Sequence, residues 1–138
     1  MIQVRQLDGR PTLVFTCHPD EQTPERRLTS GSYCTWSVPG ESTTGPWDIA
    51  RAAPFTAEPD LFAAPLVQGR DGHWFLLGFV NLEPKGLNAF DILDPIPVDR
   101  SSDTLVAAPG FRSVGEALLA QQDGQSAAVS PPRTSTRD

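Results

Sequence analysis

The sequence predicts an all-β chain of two consecutive four-stranded antiparallel meanders followed by a short C-terminal helix. Three observations lead there. The 138 residues include 14 prolines and 11 glycines, a composition that cuts a chain into short segments and disfavours long helices. An Asp-Gly pair flanked by apolar runs occurs twice, at Asp8-Gly9 and Asp71-Gly72. Such a pair signals a tight hairpin, because glycine takes the positive φ that a type I′ turn requires. The surroundings of the two pairs also repeat: residues 4–15 lie over residues 67–78 at a constant offset of 63.

Each unit then reads as four short strands. In the first, the Asp8-Gly9 hairpin leads into the apolar strand Leu13-Val14-Phe15. A long loop follows over residues 18–31, rich in Pro, Glu, Arg and Thr, whose charges (Asp20, Glu21, Glu25, Arg26, Arg27) read as solvated. Residues 32–38 and 47–53 supply the third and fourth strands, set apart by Pro39-Gly40 and Gly45-Pro46. In the second unit the Asp71-Gly72 hairpin is followed by expected strands at 87–93 and 104–108, separated by Asp94-Pro95 and Pro97. Ser113-Val114-Gly115-Glu116 is a capping box that opens a helix running to Gln122. Residues 123–138, mostly Gly, Ser, Pro, Thr and Arg, read as a disordered tail.

Four short strands joined by turns make up one blade of a β-propeller. The domain so read spans residues 1–122, with blades at about 1–56 and 57–110. Propellers close with about 4–8 blades, and repeat arrays need about three units before neighbours bury enough core. Two blades are therefore expected to pair with other chains or to belong to a larger product, and their open edges predict self-association.

Charge and composition exclude several functions. Lys plus Arg number 11 against 17 Asp plus Glu, for a net charge of −6. An acidic chain without a basic patch is not a nucleic-acid binder. No apolar run approaches the roughly 20 residues that span a bilayer, and residues 1–10 lack the apolar stretch of a signal peptide. The expectation is a soluble cytoplasmic protein without membrane contact.

Candidate chemical groups are few. Cys17 and Cys34 lack zinc-site spacing and read as two buried thiols, able to bridge if their strands lie side by side. His18 and His73 have no metal-binding companions, so neither metal nor cofactor is expected. Ser42 and Ser113 lack the Gly-x-Ser-x-Gly context of a nucleophile elbow. Trp36, Trp47 and Trp74 fall on expected strands and read as packing residues, while Asp94-Pro95 reads as a turn, leaving Asp91 without an argued partner.

Several stretches carry a resemblance. They are the turn Ser42-Thr43-Thr44-Gly45-Pro46-Trp47, the strand that begins Asp60-Leu61-Phe62-Ala63, and the hairpin from Asp71-Gly72 to Gly78-Phe79. The segment Leu93-Asp94-Pro95-Ile96-Pro97-Val98 ends the series. In order and spacing they resemble glycoside hydrolase family 32, the β-fructofuranosidase-like enzymes whose five-bladed propeller is shared with families 43 and 68. The resemblance covers roughly residues 3–98 and implies the C-terminal part of a hydrolase acting on furanosides.

Such enzymes use a nucleophilic Asp, a stabilising Asp and a general-acid Glu. Their retaining chemistry sets two carboxyls only about 5–5.5 Å apart. The Glu would stand just before Gln3, at or beyond Met1, and Ile2 departs from the proline usual there. No catalytic residue can be carried over to this chain, which implies a fragment inactive alone. Three residues keep a matching position in the sugar pocket: Asp60 to hydrogen-bond a hydroxyl, Phe62 to stack on a sugar face, and Gln3 at the start of an inner strand. The implied partner is a small furanoside. The alternative reading is a small non-catalytic β-sandwich that binds or recognises a partner.

Overall fold

The computed structural model describes residues 1–27, 33–80 and 92–127. Among them the chain is mostly β, in antiparallel sheets, with one helix at the C-terminal end. The first sheet runs in chain order through β1 (Ile2–Leu7), β2 (Arg10–Cys17), β3 (Cys34–Pro39) and β4 (Ala53–Pro54). A two-stranded ribbon pairs β5 (Leu61–Phe62) with β8 (Phe79–Val80). The second four-stranded sheet joins β6 (Leu66–Gln68), β7 (Trp74–Leu76), β9 (Ile96–Ser101) and β10 (Thr104–Ala107), again in chain order. Helix α1 covers Val114–Ala127.

The two hairpins close differently. Asp8 and Gly9 both have positive φ, 51° and 76°, between the register pair Leu7 and Arg10. That is the two-residue type I′ turn the sequence predicts. The second hairpin is one residue longer. Gly72 donates to the Gly69 carbonyl at 3.0 Å, and Gly69 donates to His73 at 2.8 Å. Gly72 alone of the Asp-Gly pair takes positive φ, at 86°. This is a type I turn closed by a glycine bulge, which corrects the expectation of type I′ at both sites. The extra residue, Arg70, is what the longer loop accommodates.

The repeat is structural, and it relocates one strand. Leu13 pairs with Val4 on one side and Val38 on the other, while Leu76, its counterpart in the second unit, pairs with Leu66 and Ile96. The next step in each ladder sets a proline across: Thr12 against Pro39, and Phe75 against Pro97. The third strand of the second unit is thus β9. The strand expected at residues 87–93 lies outside the described residues through position 91, and at its end Ile92 bridges to Phe79. Pro97 had argued against a strand, since proline lacks a ladder donor. Its carbonyl accepts from Ala108 at 2.9 Å, so the missing N–H falls at the end of the β9–β10 ladder, where it costs least.

The other boundaries shift for local reasons. The third strand of the first unit starts at Cys34. The fourth is reduced to Ala53–Pro54, and ahead of it Trp47 folds back over Gly40. Helix α1 passes Gln122 to reach Ala127, since no proline stands before Pro131. Residues 128–138 of the expected tail lie outside the described residues.

Alternation along the strands splits the core into two layers. Leu7 and Val14 of the first sheet share one buried cluster with Leu66, Leu76, Ile96, Val98 and Leu105 of the second. The opposite face of the first sheet carries Leu13, Cys34, Trp36 and Val38, with Ala52 beside them. Strand β3 is buried along its whole length, so both its faces are covered. Each fully buried aliphatic side chain in the shared layer contributes about 1.5–3 kcal/mol, and this layer holds the two sheets together.

Candidate functional site

The segment 60–64 links the two sheets and gathers all three residues that the sequence singles out. It is held at two points. Thr35 on β3, fully buried, donates its hydroxyl to the Leu61 carbonyl at 2.9 Å. Gln3 on β1 donates its side-chain amide to the Ala64 carbonyl at 3.3 Å. Between these clamps Ala63 takes a φ of 49°, a left-handed conformation uncommon for a residue with a Cβ. Gln3 is thus brought to the Asp60–Phe62 segment across 61 residues of chain.

Phe62 sits in a row of rings. Tyr33 lies 4.8 Å from it, tilted, and Phe79 5.0 Å from it, edge-on, while His18 meets Tyr33 edge-on at 4.8 Å. A sugar platform needs an open face. Phe62 is half-buried and flanked by two aromatic neighbours, so stacking on a ligand would require one of them to turn aside. Asp60 is half-buried, and burial, to which the Asp60 charge adds, pushes up both the Glu58 carboxyl and the Cys34 thiol.

Glu58 is the residue sequence reasoning missed. It is buried, and burial is the main cause that raises its carboxyl above 4.5, with Asp60 and Glu116 adding to the shift. A carboxyl raised in this way, with a second acid two residues on, supplies two of the ingredients of acid–base chemistry. Here, however, the Glu58 carboxylate accepts the backbone N–H of Val114 at the start of α1. Its sequence signal, an acid two positions before Asp60 across Pro59, does not distinguish a helix cap from a catalytic group.

No family model, curated protein or solved structure matches the chain. Two of the stretches that carry the glycosidase resemblance, Ser42–Trp47 and the Asp71-Gly72 hairpin, form turns. Ser42 accepts from Thr44 N–H at 3.3 Å and donates to the Gly45 carbonyl at 2.6 Å, bracing the turn before Trp47. Asp71 accepts from His73 N–H at 3.1 Å in the second hairpin. These residues shape backbone rather than chemistry.

A further concavity lies on the outer face of the first sheet. It encloses about 350 Å³, within the range of small-molecule sites. Phe15, Trp36 and Ala52 line its apolar side, and Cys17, Glu21 and Gln22 its polar side. Arg26, read from sequence as solvated, is half-buried here. Its guanidinium lies 5.0 Å over the Trp36 ring and donates to the carbonyls of Ile49 at 3.0 Å, Ala50 at 2.9 Å, and Ala52. The cleft can hold a small apolar or planar body with a few hydrogen bonds.

Among the described residues no group of three or more His, Cys, Asp or Glu is placed to hold a metal. His18 is used locally, where its Nδ1 accepts from Asp20 N–H at 3.2 Å. Among the same residues no helix is long and apolar enough to cross a membrane.

Proposed function

We propose that the two sheets are blades of a five-bladed propeller glycosidase of the fructofuranosidase-like type, acting on furanosides. On this reading the chain contributes the wall of a sugar pocket through Asp60, Phe62 and Gln3, while the catalytic acids come from outside it. The observation that carries the reading is the repeated four-stranded meander, stacked sheet on sheet through one apolar layer. Gathering Gln3 beside the 60–64 segment gives further support.

The reading predicts that the chain alone does not hydrolyse furanosides, because loss of even one essential catalytic group costs several orders of magnitude. Purified protein incubated with sucrose, inulin and an aryl furanoside should show no turnover above the blank. Turnover at ordinary glycosidase rates would show that the chain carries its own acids, and the reading would fall.

A second reading is a non-catalytic binding module, and the cleft lined by Phe15, Trp36 and Arg26 favours it. Titration calorimetry with fructo-oligosaccharides separates the two. Binding weakened by Trp36→Ala but not by Asp60→Asn supports the module, and the opposite pattern supports the pocket wall.

A further inference from the structure

Strands β2 and β3 set the two cysteines of the chain on one rung of the ladder. Cys17 stands opposite Cys34 in register. Cys34 lies inside the cluster of Leu13, Trp36 and Val38, and Cys17 packs against that cluster, so both side chains share a face of the sheet. The spacing of the rung follows from its neighbours. Gly40 N–H donates to the Pro11 carbonyl at 2.9 Å, which makes residues 11 and 40 a hydrogen-bonded pair. Such pairs recur at every second residue, through Leu13–Val38 and Phe15–Trp36 to Cys17–Cys34. Their Cα atoms stand about 5.5 Å apart, inside the roughly 4.4–6.8 Å that a disulfide spans.

The two thiols differ in access. Cys17 is half-buried and lines the cleft on the outer face, while Cys34 is fully buried. The Cys34 thiol donates to the Cys17 carbonyl at 3.6 Å, so its sulfur already lies toward β2. The Trp36 indole N–H and the Gln22 amide both donate to that sulfur, at 2.8 and 3.5 Å. An oxidant arriving from solvent therefore meets Cys17 first, and Cys34 is reached only through it. Burial raises the Cys17 thiol, which makes attack slow without preventing it.

We propose that the pair is a reversible redox clip, in which a peroxide oxidises Cys17 and Cys34 then closes a disulfide onto it. The Cys17 thiolate attacks one peroxide oxygen, the O–O bond breaks, and the departing hydroxide takes a proton to become water. The sulfur, oxidised by two electrons, is left as a sulfenic acid. The Cys34 sulfur attacks it, the S–O bond breaks, and a second water leaves with the Cys34 proton. A dithiol reductant reverses the change. The new bond closes the connection between β2 and β3, which carries Glu21, Gln22 and Arg26 of the cleft wall, and so ties that wall to the sheet. The inference rests on the ladder and stands apart from both functional readings.

The test exposes the native full chain to hydrogen peroxide, blocks remaining thiols in denaturant, and reads the product by mass spectrometry. Trypsin cuts after Arg26 and Arg27, between the cysteines, so a link appears as two joined peptides that dithiothreitol separates. The monomer should lose two hydrogens without forming a covalent dimer. Its melting temperature should rise by on the order of 10 °C over the reduced protein. Cys34→Ala should leave Cys17 as a sulfenic acid that dimedone traps, and Cys17→Ser should keep Cys34 reduced while the protein is folded. Circular dichroism checks both variants, and the wild-type result decides alone if either does not fold. Cys17 passing on to sulfinic acid with Cys34 still a thiol would overturn the inference. So would a disulfide formed only between chains or only in denaturant, a linked chain that melts no higher than the reduced one, or Cys34 oxidised in folded Cys17→Ser.

Discussion

Glu58 and Val114 are joined across 56 residues by a bond of 2.9 Å from the helix N–H to the buried carboxylate. The acid thereby fastens α1 to the segment between the two sheets. Ser113 and Glu116 complete the cap, with Glu116 N–H bonded to the Ser113 hydroxyl at 3.2 Å and Ser113 N–H to the Glu116 carboxylate at 3.1 Å. An anion at a helix N-terminus satisfies otherwise open donors and favours the helix dipole.

The Glu58 carboxyl is raised in the folded protein, chiefly by burial. The folded state therefore holds this proton more tightly than the unfolded chain does. Its contribution to stability is greatest below the unfolded value near 4.5 and declines as pH rises through the folded one. Glu58→Gln keeps an acceptor and removes the titration, so its melting temperature should gain on wild type as pH rises from 4.5 toward neutrality. Glu58→Ala loses the cap and should cost about 0.5–2 kcal/mol. Parallel melting curves of wild type and Glu58→Gln at all pH values would contradict the assignment.

Trp47 packs against Gly40 so closely that a Cβ there would overlap its ring. Gly40→Ala should therefore displace the indole, costing about 1–3 kcal/mol as overpacking does. A red shift in Trp emission with a lowered urea midpoint is the expected result, and an unchanged spectrum would show that the ring does not rest there.

Asp103, in the turn between β9 and β10, bridges Arg10 of the first sheet and Arg51. All three side chains are a third or more exposed, which limits each pair to about 0.2–1 kcal/mol. Asp103→Ala should cost on the order of 1 kcal/mol, and the loss should shrink as added salt screens the charges. Urea titrations at low and high ionic strength measure both effects; a loss independent of salt would point to packing instead.

Cys17 and Cys34 stand opposite each other in register on β2 and β3, and both are free thiols. Burial raises both pKa values, and Cys34 is fully buried with its sulfur 2.8 Å from the Trp36 indole nitrogen. Reactivity follows the thiolate, so alkylation at neutral pH should be slow at Cys17 and confined to the denatured protein at Cys34. Mass spectrometry before and after denaturation reads this directly. Rapid double labelling of the native protein would show that β3 is not held in the core.

Much of the fold was legible where local chemistry decides it. Asp8-Gly9 is a tight turn because positive φ is needed at both positions. Ser113 and Glu116 cap a helix because their spacing lets each reach the other's backbone. The third strand of the second unit was misplaced because Pro97 looked like a breaker, and only its position at a ladder end makes it tolerable. Of the site, Asp60 and Phe62 are legible as neighbours, but the rings against Phe62 come from elsewhere in the chain, Tyr33 from just before β3 and Phe79 from β8.

Turn chemistry and alternation act over a few residues, and they set the repeated hairpins and the two meanders that begin from them. Tertiary structure alone decided that Gln3 reaches Ala64, that Glu58 serves the helix, and that Arg26 lies on Trp36. Those outcomes depend on which face of each sheet is covered. Burial is a property of the stacked sheets, and alternation along one strand is the same whichever neighbour lies above it.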